Sequence, residues 1–236
     1  MDSIKRASQK ELIQPEYWNF WQQPATNNPR WRAEATDLAN RLSTLVPDLE
    51  TRHVLDYGCG QGLVATCLST KVKAIDLWDN SQKAIKQAQE VCRSCHNVKI
   101  LKNLSTEKVY DLILVSSVIQ YITEEQLQKS MALWKQMLKP GGLVLITDII
   151  PTRRRIASEI LALVRFAVKY GLLFNMLLTG IRELPQYWYK SRKRPLTYYD
   201  PNTIAELSAA TGFKLEFVSN PNIFPTRYAV LLCLSQ

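Results

Sequence analysis

The sequence predicts an α/β fold in which a mostly parallel sheet of seven strands is flanked by helices. Three observations carry that prediction. Val54 to Gly62 reads VLDYGCGQG, a short apolar strand running into three glycines at alternate positions and then into a helix. Beyond it, apolar runs of strand length alternate with segments of helical periodicity, and repeated β-α units of this size build a parallel sheet with helices on both faces. Between Asp148 and Tyr198 lies the only long segment outside that alternation, which predicts a helical cap inserted between the fifth strand and the final helix-strand unit.

Each element has its own signal. Trp31 to Leu45 places Ala35, Leu38, Ala39, Leu42 and Leu45 at helical spacing, so a helix should pack beside the first strand. After the glycine turn come a short helix over Gly62 to Ser69, a strand over Val72 to Trp78, and a helix over Ser81 to Cys92 with Ser81 as its cap. Val98 to Leu101 and Tyr110 to Ser116 read as the next two strands, and Glu124 to Leu138 as a helix. Lys139-Pro140-Gly141-Gly142 should break the chain before a strand over Leu143 to Ile149. Pro201 to Thr211 reads as a helix stopped by Gly212, followed by strands over Phe213 to Val218 and Tyr228 to Leu234.

A chain of 236 residues suffices for one such domain with an insertion and is short for two domains plus linkers. Its five cysteines, odd in number and scattered through apolar segments, do not form a disulfide framework and point to a reducing compartment. Cys92-x-x-Cys95-His96 lacks the second ligand pair that zinc wants, so no metal site is expected. The N-terminal MDSIKRASQKEL lacks the apolar core of a signal peptide, which makes a cytoplasmic protein the expectation. Net charge is +9, and the stretch from Pro151 to Pro195 holds ten basic against two acidic residues, so any electrostatic attraction is concentrated there.

The glycine turn is more specific than a bare G-x-G-x-G because Asp56 stands two residues before Gly58, while neither the dinucleotide spacing nor the Gly-Lys-Ser/Thr of a phosphate loop is present. At these residues the chain resembles the first motif of the class I S-adenosylmethionine (SAM) dependent methyltransferases, small-molecule type. More loosely, the likeness runs from about Tyr17 to the C-terminus. The resemblance implies SAM as cofactor and S-adenosylhomocysteine (SAH) as product, a last strand antiparallel to the fifth, and a lid in which Tyr17 and Trp18 close over the cofactor. It divides the chain into a helical lid (1–50), a SAM-binding core (51–150), the cap (151–197) and a C-terminal completion of the sheet (198–236).

Ligands of such sheets lie outside the carboxyl ends of the strands where strand order reverses. The expected cofactor contacts are therefore Gly58, Cys59, Gly60 and Gly62 in the first turn, with Asp56 either capping loop amides or orienting the cofactor's ammonium. An acid at the end of the second strand can accept two ribose hydroxyls. Asp79 is preferred to Asp76 because it sits at the strand-to-helix junction, 23 residues after Asp56, with Asn80 bordering the adenine. Asn103 and Leu104 stand where relatives contact adenine, although an Asn there also suits a turn. Ser116, Ser117, Gln120 and Tyr121 follow the fourth strand, where relatives contact the methionine portion or carry metal-binding acids that are missing here. Asp148, at the end of the fifth strand, is the general-base candidate, with a structural hydrogen-bonding role as the competing reading; Tyr121 is the second catalytic candidate. Methyl transfer needs alignment above all, and a base only for hydroxyls and some amines.

In the cap, Arg155, Ser158, Glu159, Ala162, Arg165 and Lys169 share one narrow stripe, and much of the remainder is apolar. The longest uncharged run, Tyr170 to Ile181, is too short to span a bilayer. Three readings stay open: a cover for the cleft or a dimer partner, a port for a lipophilic acceptor lined by Gln120, Tyr187, Tyr189, Tyr198 and Tyr199, and peripheral contact with an anionic membrane. The function expected is methyl transfer to a small, lipophilic acceptor at an O, N or C atom. The alternatives are an RNA methyltransferase using the basic segment, disfavoured because SSVIQY replaces the Asn/Asp-Pro-Pro-aromatic motif, and a non-catalytic SAM-fold binding module.

Overall fold

The computed structural model describes residues 28–106, 109–176 and 196–234. Seven strands, β1 (His53–Tyr57), β2 (Ala74–Trp78), β3 (Val98–Ile100), β4 (Tyr110–Ser116), β5 (Leu138–Ile149), β6 (Phe213–Val218) and β7 (Tyr228–Leu234), form one sheet in the order β3-β2-β1-β4-β5-β7-β6. The five strands from β3 to β5 are parallel, and β7 enters antiparallel between β5 and β6. The α-helices among the described residues are α1 (Pro29–Leu45), α2 (Leu63–Leu68), α3 (Gln82–Val91), α4 (Glu124–Met137), α5 (Ile156–Lys169) and α6 (Pro201–Thr211).

Side-chain alternation along the strands splits the core into two layers. Leu112 and Leu114 of β4, with Val54 and Leu145, pack under α1, α2 and α3 against Leu38, Leu42, Ala65 and Ala88. Ile113 and Val115, with Leu55, Tyr57, Val144 and Ile146, pack under α4 and α6 against Met131, Trp134 and Ile204. Because β4 is apolar on both faces, it can only be a central strand. The helix starts are set by side chains: Asn28 caps α1 with Pro29 behind it, Ser81 accepts from the Ala84 N–H, and Thr123 and Gln126 form a reciprocal capping box on α4.

The break expected at Lys139–Gly142 takes another form. Met137 ends α4 and β5 begins at once at Leu138, paired with Tyr110; the next pairing is Leu112 with Leu143, so residues 139–142 bulge out of a continuing strand. Gly141, at φ +75°, takes the left-handed turn that the bulge needs.

Strand order reverses between β1 and β4. Their carboxyl ends open a crevice, with β2 on one side and β5 on the other, and the candidate residues of the core stand at these four ends except Asn103 and Leu104, which follow β3.

Candidate active site

The turn after β1 is tied to the end of β2 by backbone and side chain together. The Trp78 carbonyl accepts from Gly58 N at 2.8 Å and from Cys59 N at 3.1 Å. Asp79, the first residue beyond β2, accepts Gly60 N on Oδ2 at 2.9 Å and Ser81 N on Oδ1 at 2.8 Å. Asp79 stands at the strand-to-helix junction, the position on which its preference over Asp76 rests. Asp76 lies inside β2, where Oδ2 accepts the Tyr110 hydroxyl at 2.9 Å and faces His53 Nε2 at 3.3 Å, both first residues of their strands and so at the end of the sheet opposite the crevice. Asn80 follows Asp79 and is half-buried, while Asn103, beyond β3, is exposed. Leu104 is buried, in the same apolar cluster as Trp78 and Leu101.

All three glycines of the turn adopt positive φ, and two of them show why the turn needs glycine. A Cβ on Gly58 (φ +79°) would sit 2.6 Å from Val118 Cγ2, whereas a Cβ on Gly60 (φ +55°) would meet nothing within 4 Å. The backbone at Gly60 therefore borders open space. Below it, Asp56 is 3% exposed, and its Oδ2 has no hydrogen-bond partner among the described residues. Burial, reinforced by the neighbouring Asp79 charge, pushes its carboxyl up to about 7. Burial likewise raises Asp79 against its two backbone donors, and drives the Cys59 thiol well above the ordinary range, so Cys59 is no nucleophile. A buried, unpartnered carboxylate oxygen, a carboxylate fixed by two backbone N–H groups with acceptor capacity to spare, and an open glycine backbone fit an ammonium, a ribose diol and the chain between them.

The ends of β4 and β5 form the other wall. Ser117 (φ +56°) and Asp148 (φ +64°) both hold left-handed backbone conformations that non-glycine residues rarely adopt. Strain of this kind collects at functional sites, and the two are bonded to each other, Ser117 Oγ donating to Asp148 Oδ2 at 2.7 Å. Arg227 Nη1 reaches the same oxygen at 2.8 Å, while Asp148 Oδ1 is buried with no partner among the described residues. Burial raises the Asp148 carboxyl, and the Arg227 charge is the largest influence against it. Ser116 is engaged below, accepting from Thr147 Oγ1 at 3.0 Å. Gln120 is buried, with its Oε1 unpartnered among the described residues and its carbonyl accepting from Thr197 N. Tyr121 is half-buried beside it.

Sequence reasoning missed Arg227, Glu159 and Asn220. Glu159, assigned to a polar stripe of the cap, is buried: its Oε1 accepts the Thr226 hydroxyl and stands 3.7 Å from Arg227 Nε. Asn220 Oδ1 accepts Asp148 N at 3.2 Å. A signal was present, since Arg227 is the sole charge between Val218 and Gln236 and immediately precedes a buried strand. Tyr199, expected at the mouth of the acceptor port, is instead fully buried. Its hydroxyl donates to the Ile122 carbonyl at 2.7 Å and its N–H to the Ile150 carbonyl, so it anchors the return of the chain. Tyr198 is exposed, with the Arg154 guanidinium 5.4 Å from its ring centre. Tyr17, Trp18, Tyr187 and Tyr189 lie outside the described residues.

Helix α5 buries Phe166 and Ala167 but leaves much of its remaining apolar surface uncovered. Glu159 faces inward, and Lys169 and Tyr170 reach Asp37 of α1 at 2.9 and 2.8 Å, while Ile156, Ile160, Leu161, Val164 and Val168 are exposed, joined by Leu173 and Phe174 beyond its end. No helix among the described residues is long and apolar enough to cross a membrane.

Comparison with known proteins agrees with this fold. Residues 54–142 match the family model of a methyltransferase domain. Over 135 residues the chain is 31% identical to a protein named ubiquinone biosynthesis O-methyltransferase from Rickettsia bellii (strain OSU 85-389), covering 53% of each chain. A protein of the same name from Rickettsia conorii is 32% identical over 138 residues, covering 50% of this chain and 45% of the relative. The chain thus spans about half the length of the curated relatives it matches. Among solved structures, a DhpI-SAH complex superposes with a TM-score of 0.62 at 13% identity, covering 95% of this chain and 96% of the other. Magnesium protoporphyrin IX methyltransferase from Synechocystis PCC 6803 with bound SAH gives 0.57 at 15% identity, covering 87% and 84%. With its seven-stranded sheet, its glycine turn and the match of residues 54–142 to the model of a methyltransferase domain, the chain has the fold of the class I SAM-dependent methyltransferases.

Proposed function

We propose that the chain is a SAM-dependent methyltransferase that acts on a small, largely apolar acceptor through a hydroxyl oxygen. The observation that carries this reading is the pairing of Asp79, tied to the Gly60 N–H, with the unpartnered Asp56 Oδ2 beside an open glycine backbone. In this reading Asp79 accepts the ribose hydroxyls, Asp56 takes the ammonium, and Gly58, Gly60 and Gly62 let the backbone approach. Asn80, Asn103 and Leu104 border the adenine, and Ser116, Ser117 and the lid residues Tyr17 and Trp18 surround the methionine portion. When bound, SAM would supply an electrophilic methyl group for in-line transfer with SAH as the leaving group, so alignment of the acceptor is the main requirement. Asp148 Oδ1, unpartnered at the end of β5, takes the proton of the acceptor hydroxyl and later passes it to solvent. The relatives named O-methyltransferases support oxygen as the atom methylated. In this reading Gln120 and Tyr121 lie on the acceptor side, with Tyr198 at its mouth.

The exposed apolar face of α5 favours a second feature of the same reading, contact with an anionic lipid surface from which a lipophilic acceptor is drawn. Val168 is 60% exposed and Phe174 74%, next to exposed Arg153, Arg155 and Arg165.

The test is incubation of the purified protein and methyl-labelled SAM with fractionated extract of its source cell. Label entering the organic-soluble fraction is the expected result. Label confined to RNA or protein would overturn the small-molecule reading.

A further inference from the structure

We infer that Glu159 of α5 acts through Arg227 to set the charge state of Asp148, so that the inserted helix tunes the base at the end of β5; the inference rests on the assignment of Asp148 as base made above. Asp148 Oδ2 is 2.8 Å from Arg227 Nη1, and Arg227 Nε is 3.7 Å from Glu159 Oε1, which makes a line of alternating charges from the crevice to the helix. The three side chains are 6%, 14% and 11% exposed, so solvent screens them little. The guanidinium is held flat by Phe224, whose ring centre lies 4.1 Å away. Its Nε makes no hydrogen bond among the described residues, so it responds to Glu159 as a charge. Thr226 fixes Glu159 by donating to Oε1, and Arg154 Nη1 stands 3.8 Å from Oε2.

The charged and titratable groups around Asp148 come from several elements. Arg227 precedes β7, Glu34 belongs to α1, and Glu159 and Arg154 lie behind Arg227; Ser117 and Asn220 supply neutral hydrogen bonds. Burial favours the protonated acid, Arg227 favours the anion, and Glu34 opposes Arg227. Glu159 draws on the same guanidinium and so weakens its hold on the anion. Glu159 and Arg227 are positioning residues, and their removal has opposite signs. Without Glu159, Asp148 loses its proton at lower pH and becomes a weaker base; without Arg227, Asp148 keeps its proton to higher pH. A structural role would move both variants in one direction or neither.

The experiment is a carbon-13 titration of the full chain labelled at aspartate carboxyls, with the Asp148 resonance assigned by its loss in Asp148→Asn. Glu159→Gln, which retains an oxygen for Thr226, should shift the Asp148 midpoint down. Arg227→Gln should shift it up, and Arg227→Lys should restore part of the difference. Calorimetric SAH binding checks that each variant is folded. Unchanged midpoints, or shifts of the same sign, in variants that bind SAH would overturn the coupling. Methyl transfer to an alkylated phenol separates the two assignments: Asp148→Asn with the wild-type rate would overturn Asp148 as base and with it the catalytic part of the inference. Loss of at least tenfold in Asp148→Asn with unchanged midpoints in the other two variants would overturn the coupling alone.

Discussion

Burying Asp56 beside Asp79 makes the proton a competitor for any ammonium that binds there. With its carboxyl pushed up to about 7, Asp56 in the ligand-free protein is neutral at acid pH and charged above neutrality. SAH affinity should therefore fall as pH drops through about 7, and Asp56→Asn should abolish that dependence while weakening binding at pH 8, both read by calorimetry. Stability runs the other way. The folded state holds this proton more tightly than the unfolded chain, so the ligand-free protein loses stability as pH rises from about 4 to about 7. Asp56→Asn should then raise the thermal midpoint at pH 8 by a few degrees, and a lower midpoint would contradict the cost assigned to the buried charge.

The two glycines make a matched pair of residue-scale tests. Gly58→Ala places a methyl group 2.6 Å from Val118 in addition to left-handed strain of roughly 1–2 kcal/mol, whereas Gly60→Ala adds the strain alone. Denaturant unfolding should show the larger loss for Gly58→Ala. Loss of SAH binding with modest loss of stability should mark Gly60→Ala, because its methyl group occupies the open side of the turn.

At the scale of elements, local chemistry was most legible where one signal had no competitor. Helix α6 and strands β4, β6 and β7 have the bounds read from sequence, since Pro201 and Gly212 punctuate the helix and the strands are short apolar runs. Asp79 could be placed because Ser81 marks the start of α3. The bulge at residues 139–142 could not, because Lys-Pro-Gly-Gly predicts a break and only pairing with β4 reveals that the strand continues through it. Nor could the facing of α5 be read, for periodicity defines a polar stripe without saying whether it meets Asp37 and Arg227 or water. The consequence is measurable. Because Ile160 is 58% exposed and Val164 45%, replacing both by Ser should change folding stability by less than about 1 kcal/mol. It should also reduce sedimentation with anionic vesicles relative to the parent chain. Undiminished sedimentation would remove α5 from the lipid contact.

On the scale of the whole molecule, topology converts scattered residues into a site. Asp56, Asp79, Ser117 and Asp148 span more than ninety positions of sequence, yet each stands at the carboxyl end of one of four parallel strands, at the point where strand order reverses. That much follows from the β-α alternation. The network behind Asp148 does not, because it joins α5 to the turn before β7, and β7 enters antiparallel from the far end of the chain. In the function proposed here, this crevice binds SAM and its product through Asp79. Calorimetry of SAH with the wild-type chain, Asp79→Ala and Asp76→Ala tests it most directly. Loss of charge-assisted hydrogen bonds worth about 1.5–3 kcal/mol each predicts at least tenfold weaker binding for Asp79→Ala. Asp76→Ala, stripped of contacts to Tyr110 and His53 only, should bind as the wild type does. Unchanged affinity in Asp79→Ala with loss in Asp76→Ala would contradict the site described.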